Sequence, residues 1–371
     1  MARFSLNDLK VFLADEPHLP YWMGIDVHKR SYHIALLRDD STFTWSASAD
    51  PEKLVQTIND FEIPLAGICY EAGPTGFSLA RSIVKSNIPV IVAAPSKVPR
   101  SVSPGSKTDR LDCLKLAHFA SKGLIKPIAI PTVTEESQRA LLRRRHQLVD
   151  SIRQCKQRIK GMFLYHGFEE PAAIRHWRAD SLQQLRSESL PKELKLTLNS
   201  HVRELKYLQD ELSKVMKQLN DIGRSKEHQE TLQALKSVPG VGTVVATSFL
   251  LEMFNPKRFS RGEEVASYLG LAPTVHHSGE KSPRGHLVPV GQTRLRSLLV
   301  ESAWVWMTKD QYARQLYNKL IGRTGIPQKA ITALARKLSI ILWPGCRAEQ
   351  QAELATRRLS IEQRAYRPVG K

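Results

Sequence analysis

The stretch Tyr21-Trp22-Met23-Gly24-Ile25-Asp26-Val27-His28-Lys29 decides how the rest of this chain is read. Aromatic and apolar residues lead in, Gly24 allows close packing, and the run turns polar at Asp26. It predicts a short buried strand that ends on a carboxylate. A second apolar run, Tyr32-His33-Ile34-Ala35-Leu36-Leu37, follows, and the two predict a hairpin with Lys29-Arg30-Ser31 near its turn. Taken alone, Asp26 reads equally well as a cap or a surface residue. Further acids in matching contexts give it a second reading.

Working outward, Pro51 to Phe61 carries helical spacing at Leu54, Val55, Ile58 and Phe61. Leu65-Ala66-Gly67-Ile68-Cys69-Tyr70 is again strand-like and ends on an acid, Glu71. Ala72-Gly73-Pro74-Thr75-Gly76 breaks that strand, and Phe77 to Ser86 reads as a helix. Ile88 to Ala94 is another buried strand, and Ser106-Lys107-Thr108-Asp109-Arg110-Leu111-Asp112 opens a helix containing Leu114, Leu116, Ala117 and Phe119. Residues 1–20 read as a lead-in closed by Pro17 and Pro20. Strand and helix alternating in this way argue an α/β layer architecture.

The chain has 371 residues, 42% hydrophobic and 25% charged, which is globular composition with room for two or three domains. Its net charge of +19 points first to a polyanionic partner, nucleic acid, rather than to a membrane, because the basic residues are spread along the whole length. None of the four cysteines forms a Cys-x-x-Cys pair, which argues against a disulfide framework or a zinc motif and fits a reducing compartment. With no signal-peptide pattern and no apolar run of spanning length, the expectation is a cytoplasmic protein with no membrane partner.

Beyond a connector at Pro127 to Pro131, Leu141, Leu148, Ile152, Cys155, Ile159 and Met162 recur at helical steps, and Leu205, Leu208, Leu212, Val215 and Leu219 repeat the period. They predict an antiparallel helical hairpin or coiled coil. Its outer face carries Arg143, Arg144, Arg153, Lys156, Arg158 and Lys160, read either as a solvated face or as a phosphate-contacting or dimerising arm. Leu235-Lys236-Ser237-Val238-Pro239-Gly240-Val241-Gly242-Thr243 then has the helix, glycine turn, helix order of a helix-hairpin-helix, in which Gly240 and Gly242 let backbone N–H groups approach a phosphate. Val265 to Leu271 is a short apolar segment leading to Ala272-Pro273-Thr274-Val275-His276-His277-Ser278-Gly279. Lys281 and Arg284 follow it, Arg294 sits at the start of a helix over Thr293 to Trp304, and a last helix covers Pro327 to about Trp343.

Asp26, Glu71, Asp109 and Asp112 each stand at the end of a strand or the start of a helix, and the last two are three residues apart, on one helical face. Crowded carboxylates repel one another and need a cation to hold them, and oxygen ligands favour Mg²⁺ or Mn²⁺. Two such ions can flank a phosphodiester, activating one oxygen and stabilising the other. The plain alternative is four unrelated acids serving local caps.

Gly24-Ile25-Asp26-Val27-His28-Lys29, Tyr70-Glu71-Ala72-Gly73-Pro74-Thr75-Gly76 and Lys107-Thr108-Asp109-Arg110-Leu111-Asp112 resemble motifs of the DEDD transposases. These are the insertion-sequence recombinases of the "IS one-ten" family, which includes the Piv-type invertases. Val238 to Gly242, Tyr268 to Pro273, Ser278-Gly279 and Ala330 to Trp343 resemble the same family's second domain. The resemblance implies an α/β plus α chain: a RuvC/RNase-H-like domain over 1–128, a helical coiled-coil connector over 129–230, a mainly helical C-terminal domain with a helix-hairpin-helix over 231–345, and a charged tail over 346–371. It implies metal-binding acids at Asp26, Glu71, Asp109 and Asp112, a serine nucleophile at Ser278, and a composite site completed by the two. Donor and target double-stranded DNA, a structured noncoding bridge RNA and a homodimer or tetramer are the implied partners. Many family members carry Gln before the Ser-Gly pair, where this chain has His277. The expected activity is transposition through a covalent serine–DNA intermediate. The rivals are a metal-dependent junction nuclease without a covalent step and a non-catalytic nucleic-acid-binding protein.

Overall fold

A computed structural model describes residues 6–14, 19–99, 109–178, 180–275, 284–287 and 291–346. The chain divides into two compact units, Met1–Thr132 and Val133–Lys371. The first contains α1 (Leu6–Ala14), β1 (Tyr21–Val27), β2 (Ser31–Arg38), β3 (Ser41–Ser48), α2 (Pro51–Asp60), β4 (Leu65–Glu71), α3 (Ser78–Lys85), β5 (Val90–Ala93) and α4 (Asp109–Ser121). The strands form a five-stranded sheet in the order β3-β2-β1-β4-β5. β1, β2 and β3 are an antiparallel meander, and β4 and β5 run parallel to β1.

Side chains alternate across a strand, so each face of this sheet carries every second residue. Tyr21, Met23, Ile25, Ile68 and Tyr70 lie on one face, in a core with Leu54, Ile58, Leu79 and Ile83 of α2 and α3. Trp22 and Cys69 belong to the other face, packed with Leu116 and Ala120 of α4. A fully buried aliphatic side chain contributes on the order of 1.5–3 kcal/mol, so both faces weigh in holding the sheet. Helix α2 starts where Asp50 accepts hydrogen bonds from the N–H groups of Glu52 (3.1 Å) and Lys53 (3.2 Å), with Pro51 preset for the first turn.

Gly24 fixes how close α4 comes. A Cβ at Gly24 would stand 1.9 Å from the Cys113 carbonyl oxygen and 2.7 Å from the Ala117 nitrogen, so backbone meets backbone there. Two elements of this unit depart from expectation. The lead-in holds helix α1, whose Leu9 is fully buried in the sheet core. β3 was not anticipated: its alternation is written in Ser and Thr against Phe43, Trp45 and Ala47.

The second unit contains α5 (Val133–Tyr165), α6 (Ala173–His176), α7 (Ser181–Ser187), α8 (Lys192–Gly223), α9 (Gln229–Lys236), α10 (Thr243–Met253), α11 (Gly262–Tyr268), β6 (Pro273–Val275), β7 (Arg284–Leu287), α12 (Thr293–Lys309), α13 (Gln311–Thr324) and α14 (Pro327–Leu342). Arg145 meets Met216 and Arg158 meets Glu204, so α5 and α8 run antiparallel. The expected register is off by a residue at one end: Leu142 is buried where Leu141 was expected. Toward the other end the seam runs through Cys155, Ile159 and Phe163 on α5 against Leu198, Val202 and Leu205 on α8, closed by Ile174 and Leu185 of the short helices between them. A separate core gathers α9 to α14 around Leu235, Phe249, Leu269, Leu299, Leu334 and Leu338. The apolar segment from Val265 is helix α11, and α13, which the sequence reading passed over, packs against both α12 and α14, with Ala313 and Leu316 in the shared core.

Two polar contacts fasten this unit. Arg139 of α5 donates through Nε to Glu252 of α10 at 3.1 Å, both side chains nearly buried, with the guanidinium 4.8 Å from the Phe254 ring centre. Gly240 adopts φ +86°, and a Cβ there would stand 2.7 Å from the Trp306 nitrogen, while Ser302 Oγ donates to the Gly240 carbonyl at 2.8 Å.

Gly24→Ala should lower stability by about 1–3 kcal/mol, because the added methyl meets backbone that cannot yield. Gly161→Ala, with nothing within 4 Å of its Cβ position, is the control and should leave the melting temperature equal or higher. Glu252→Ala should destabilise by about 3–5 kcal/mol through the buried Arg139 it strands. Thermal and urea melts of the three variants check these values.

Candidate carboxylate site and nucleic-acid-facing residues

Asp26 is the sixth residue of β1 and Glu71 the last of β4. The two strands are parallel neighbours paired up to Ile25 and Tyr70, so the acids follow in the next register step. By alternation, Asp26 continues the Trp22–Gly24 face and Glu71 continues the Cys69 face, which is the side that α4 covers. Asp112 immediately precedes Cys113, the residue whose carbonyl rests on Gly24. The contact that spaces helix from sheet therefore carries one acid to the side of the sheet where the other two stand.

The electrostatics agree. Burial pushes the Cys113 thiol up to about 11, and the charges of both Asp26 and Asp112 add to that rise, so both carboxylates act on one sulfur. Burial pushes the Cys69 thiol up to about 12, with the charge of Glu71 adding. Asp26 and Asp112 are partly exposed and Glu71 is exposed, so solvated ions can reach them. Asp26 Oδ2 lies 3.2 Å from His28 Nε2, the His28 ring meets His33 edge-on at 5.4 Å, and His33 Nδ1 is 2.9 Å from Ser46 Oγ. Asp112 is 3.5 Å from Lys115 Nζ. His28 and His33 had no role in the sequence reading. Their place beside Asp26 follows from the Asp26–His33 register of the β1–β2 pair, which sequence spacing leaves open.

Asp109 opens α4, and its side chain lies outside the described residues. The donor set is all oxygen, which fits a hard divalent cation. Ligand atoms mutually within 4.8 Å occur, among the described residues, at a different place, Cys155, His201 and Glu204, and not at Asp26, Glu71 and Asp112.

Ser278, Lys281, His276 and His277 lie outside the described residues, as does the Arg284 side chain. They follow β6 in sequence, and Val275 of β6 pairs with Arg284 of β7. Gly240, as above, is demanded by its approach to α12. Gly242 is different: it is exposed, has nothing within 4 Å of its Cβ position, and precedes the first turn of α10. Arg294 is exposed in the first turn of α12. Burial holds His146 down at about 4, with the charges of Arg145 and Arg294 adding and that of Asp150 opposing, so positive charge leads at this corner of the second unit.

Several cations of the basic α5 face are already engaged. Arg153 pairs with Asp150, Arg158 with Glu204 and Lys160 with Glu170, and Lys156 lies 4.9 Å from the Trp177 ring centre. Arg143 and Arg144 are exposed.

Two family profiles match the chain. One described as "Transposase", for DEDD-type IS110 proteins, covers residues 23–166, and one described as "Transposase IS116/IS110/IS902 family" covers residues 232–318. The chain is 30% identical over 307 residues to protein y4qE of Sinorhizobium fredii, which carries a transposase name, spanning 80% of this chain and 75% of that protein. It is 25% identical over 329 residues to the transposase for insertion sequence element IS1533 of Leptospira borgpetersenii, spanning 86% and 94%. It is 24% identical over 347 residues to the transposase for insertion sequence element IS1111A of Coxiella burnetii, spanning 92% and 90%.

His146 provides a pH test of the positive corner. Its folded-state pKa lies below its unfolded value near 6.5, so the unfolded chain binds the extra proton. Stability should therefore fall as pH drops from about 6.5 towards about 4, and His146→Gln should flatten that part of the profile. Thermal melts across this range, wild type against variant, read the difference.

Proposed function

This chain belongs to the IS116/IS110/IS902 family of DEDD-type transposases, enzymes that cleave and transfer DNA strands, and on that premise we propose that it works through a serine–DNA intermediate served by metal-binding acids. The observation that carries the acid part of this reading is the shared sheet face of Asp26, Glu71 and the α4 segment bearing Asp112. The strand order, with an antiparallel meander and two further parallel strands, supports a RuvC/RNase-H-like fold for residues 1–128. The antiparallel α5–α8 pair supports a coiled-coil connector over 129–230, ahead of a C-terminal transposase domain over 231–345 and a tail over 346–371.

Family membership points to divalent-metal chemistry, and the oxygen-only donors favour Mg²⁺ or Mn²⁺ held by Asp26, Glu71, Asp109 and Asp112. When bound, such a cation neutralises charge on the scissile phosphate and favours departure of the leaving oxygen. The remaining work falls to the chain. Ser278 Oγ attacks phosphorus, an Oγ–P bond forms as one sugar O–P bond breaks, and the freed sugar oxygen takes a proton. Rejoining reverses these steps with the hydroxyl of a new strand. One phosphodiester replaces another, so bond energy is conserved without a nucleotide cofactor. Lys281 and Arg284 hold the phosphate and stabilise its developing charge.

DNA reaches the enzyme as donor and target duplexes. The amide edge at Gly242, together with Arg294, contacts the phosphate backbone, and Gly240 shapes that turn. A net charge of +19 supports a second polyanion, a structured bridge RNA, held by a homodimer or tetramer in the cytoplasm near the nucleoid. Among the described residues no helix is long and apolar enough to cross a membrane. Membership in a strand-transferring family removes the non-catalytic binding protein as a rival. The junction nuclease differs only in lacking the covalent step.

Ser278→Ala should lose DNA-linked protein on denaturing gels and reduce strand exchange by about 10²-fold or more, while DNA binding in a mobility-shift assay persists. Undiminished strand exchange in that variant removes the nucleophile. Cleavage that persists with no DNA-linked species in either protein favours the nuclease.

A further inference from the structure

A side-chain cluster joins α5 to α8 within the second unit. His201 and Glu204 stand one turn apart on α8, and Cys155 lies across from them on α5. The thiol sulfur, an imidazole nitrogen and a carboxylate oxygen all lie within 4.8 Å of one another. Cys155 Sγ donates to the His201 carbonyl at 3.5 Å, and His201 Nδ1 is 3.7 Å from Glu204 Oε2. The other carboxylate oxygen, Oε1, accepts from Arg158 Nη2 at 2.6 Å, which holds the carboxylate's orientation and leaves Oε2 turned to the imidazole. Cys155 is wholly buried, whereas the His201 and Glu204 side chains are 22% and 40% exposed, so the cluster has a dry floor and a wet mouth.

We propose that Cys155, His201 and Glu204 bind one zinc-like transition-metal cation, with a solvent molecule as fourth ligand, and that the bound ion clamps α5 to α8. Softness sets the class of ion: a thiolate and an imidazole suit zinc or cobalt, whereas Mg²⁺ would find a single oxygen. Arg158 supports the carboxylate from outside the ligand set. The metal–sulfur bond replaces the S–H bond, and the proton leaves to solvent with no change of oxidation state. Burial, with the charge of Glu204 adding and that of Arg158 opposing, raises the free thiol above its ordinary value, and metal binding releases its proton. This site shares no residue with the acids at Asp26, Glu71 and Asp112, and its test does not read transposase chemistry. It escaped the sequence reading because Cys155 fits the apolar seam and lies 46 residues from His201.

The test is a cobalt titration of the full chain, stripped of metal with a chelator and kept reduced. The expected result is one Co²⁺ per chain with a thiolate-to-cobalt charge-transfer band, displaced by Zn²⁺ and untouched by excess Mg²⁺. Cys155→Ser should abolish the band, and His201→Gln and Glu204→Gln should each weaken binding by about 10-fold or more, with helix content by circular dichroism unchanged. No charge-transfer band, or one that survives Cys155→Ser, overturns the site. Should Cys155→Ser fail to fold, the two partly exposed positions decide: unaltered cobalt affinity in both His201→Gln and Glu204→Gln overturns it as well.

Discussion

Backbone against backbone at Gly24 is the contact on which the first unit depends. With the Cys113 carbonyl 1.9 Å from where a Cβ would be, β1 and α4 sit closer than any side chain would permit. Spacing here sets chemistry. Asp112 immediately precedes Cys113, whose carbonyl rests on the sheet, and Asp26 lies two residues beyond Gly24 on the same face. The parallel pairing of β1 with β4 then adds Glu71 beside them. A larger residue at position 24 would lift the helix and take Asp112 with it. The cost of gathering negative charge on one face is visible in the thiols underneath, which the carboxylates push further from ionisation. A divalent cation removes that repulsion, which is why an all-oxygen face suits one.

The second unit uses its charge differently. Its long helices carry many cations, yet Arg153, Arg158 and Lys160 are matched to acids nearby, and Arg139 is buried against Glu252. The three exposed pairs add about 0–1 kcal/mol each, so they govern where positive potential remains more than they hold the fold, unlike the buried Arg139–Glu252 pair. What remains open is the corner around Arg145, His146 and Arg294 and the amide edge at Gly242. Gly240, two residues earlier, serves packing: its positive φ and its approach to α12 let two helices touch.

Much of this was legible in the sequence, and the exceptions have physical causes. The strands that carry Asp26 and Glu71 at or next to their ends are readable because both faces of the sheet are covered, which produces continuous apolar runs with a polar break. β3 lies at the sheet edge and writes its alternation in Ser and Thr, which composition alone assigns to loops. α1 hides in a lead-in because, among its described side chains, Leu9 alone is fully buried. Helical period located α5 and α8 but left the seam uncertain by one residue, Leu141 against Leu142, since one turn tolerates either until a partner is known. The carboxylates could be enumerated from sequence, but their shared face could not, because it follows from strand register and from the residue of α4 that rests on Gly24. Ser278, the residue that the family resemblance alone nominates, lies outside the described residues.

Manganese binding to the full chain, followed by electron paramagnetic resonance, reads the acids without reading catalysis. Saturable Mn²⁺ binding is expected to weaken sharply in Asp26→Asn and in Asp112→Asn, with the helical content of both variants unchanged. Manganese affinity that is the same in wild type and in both variants would contradict cation binding at these acids.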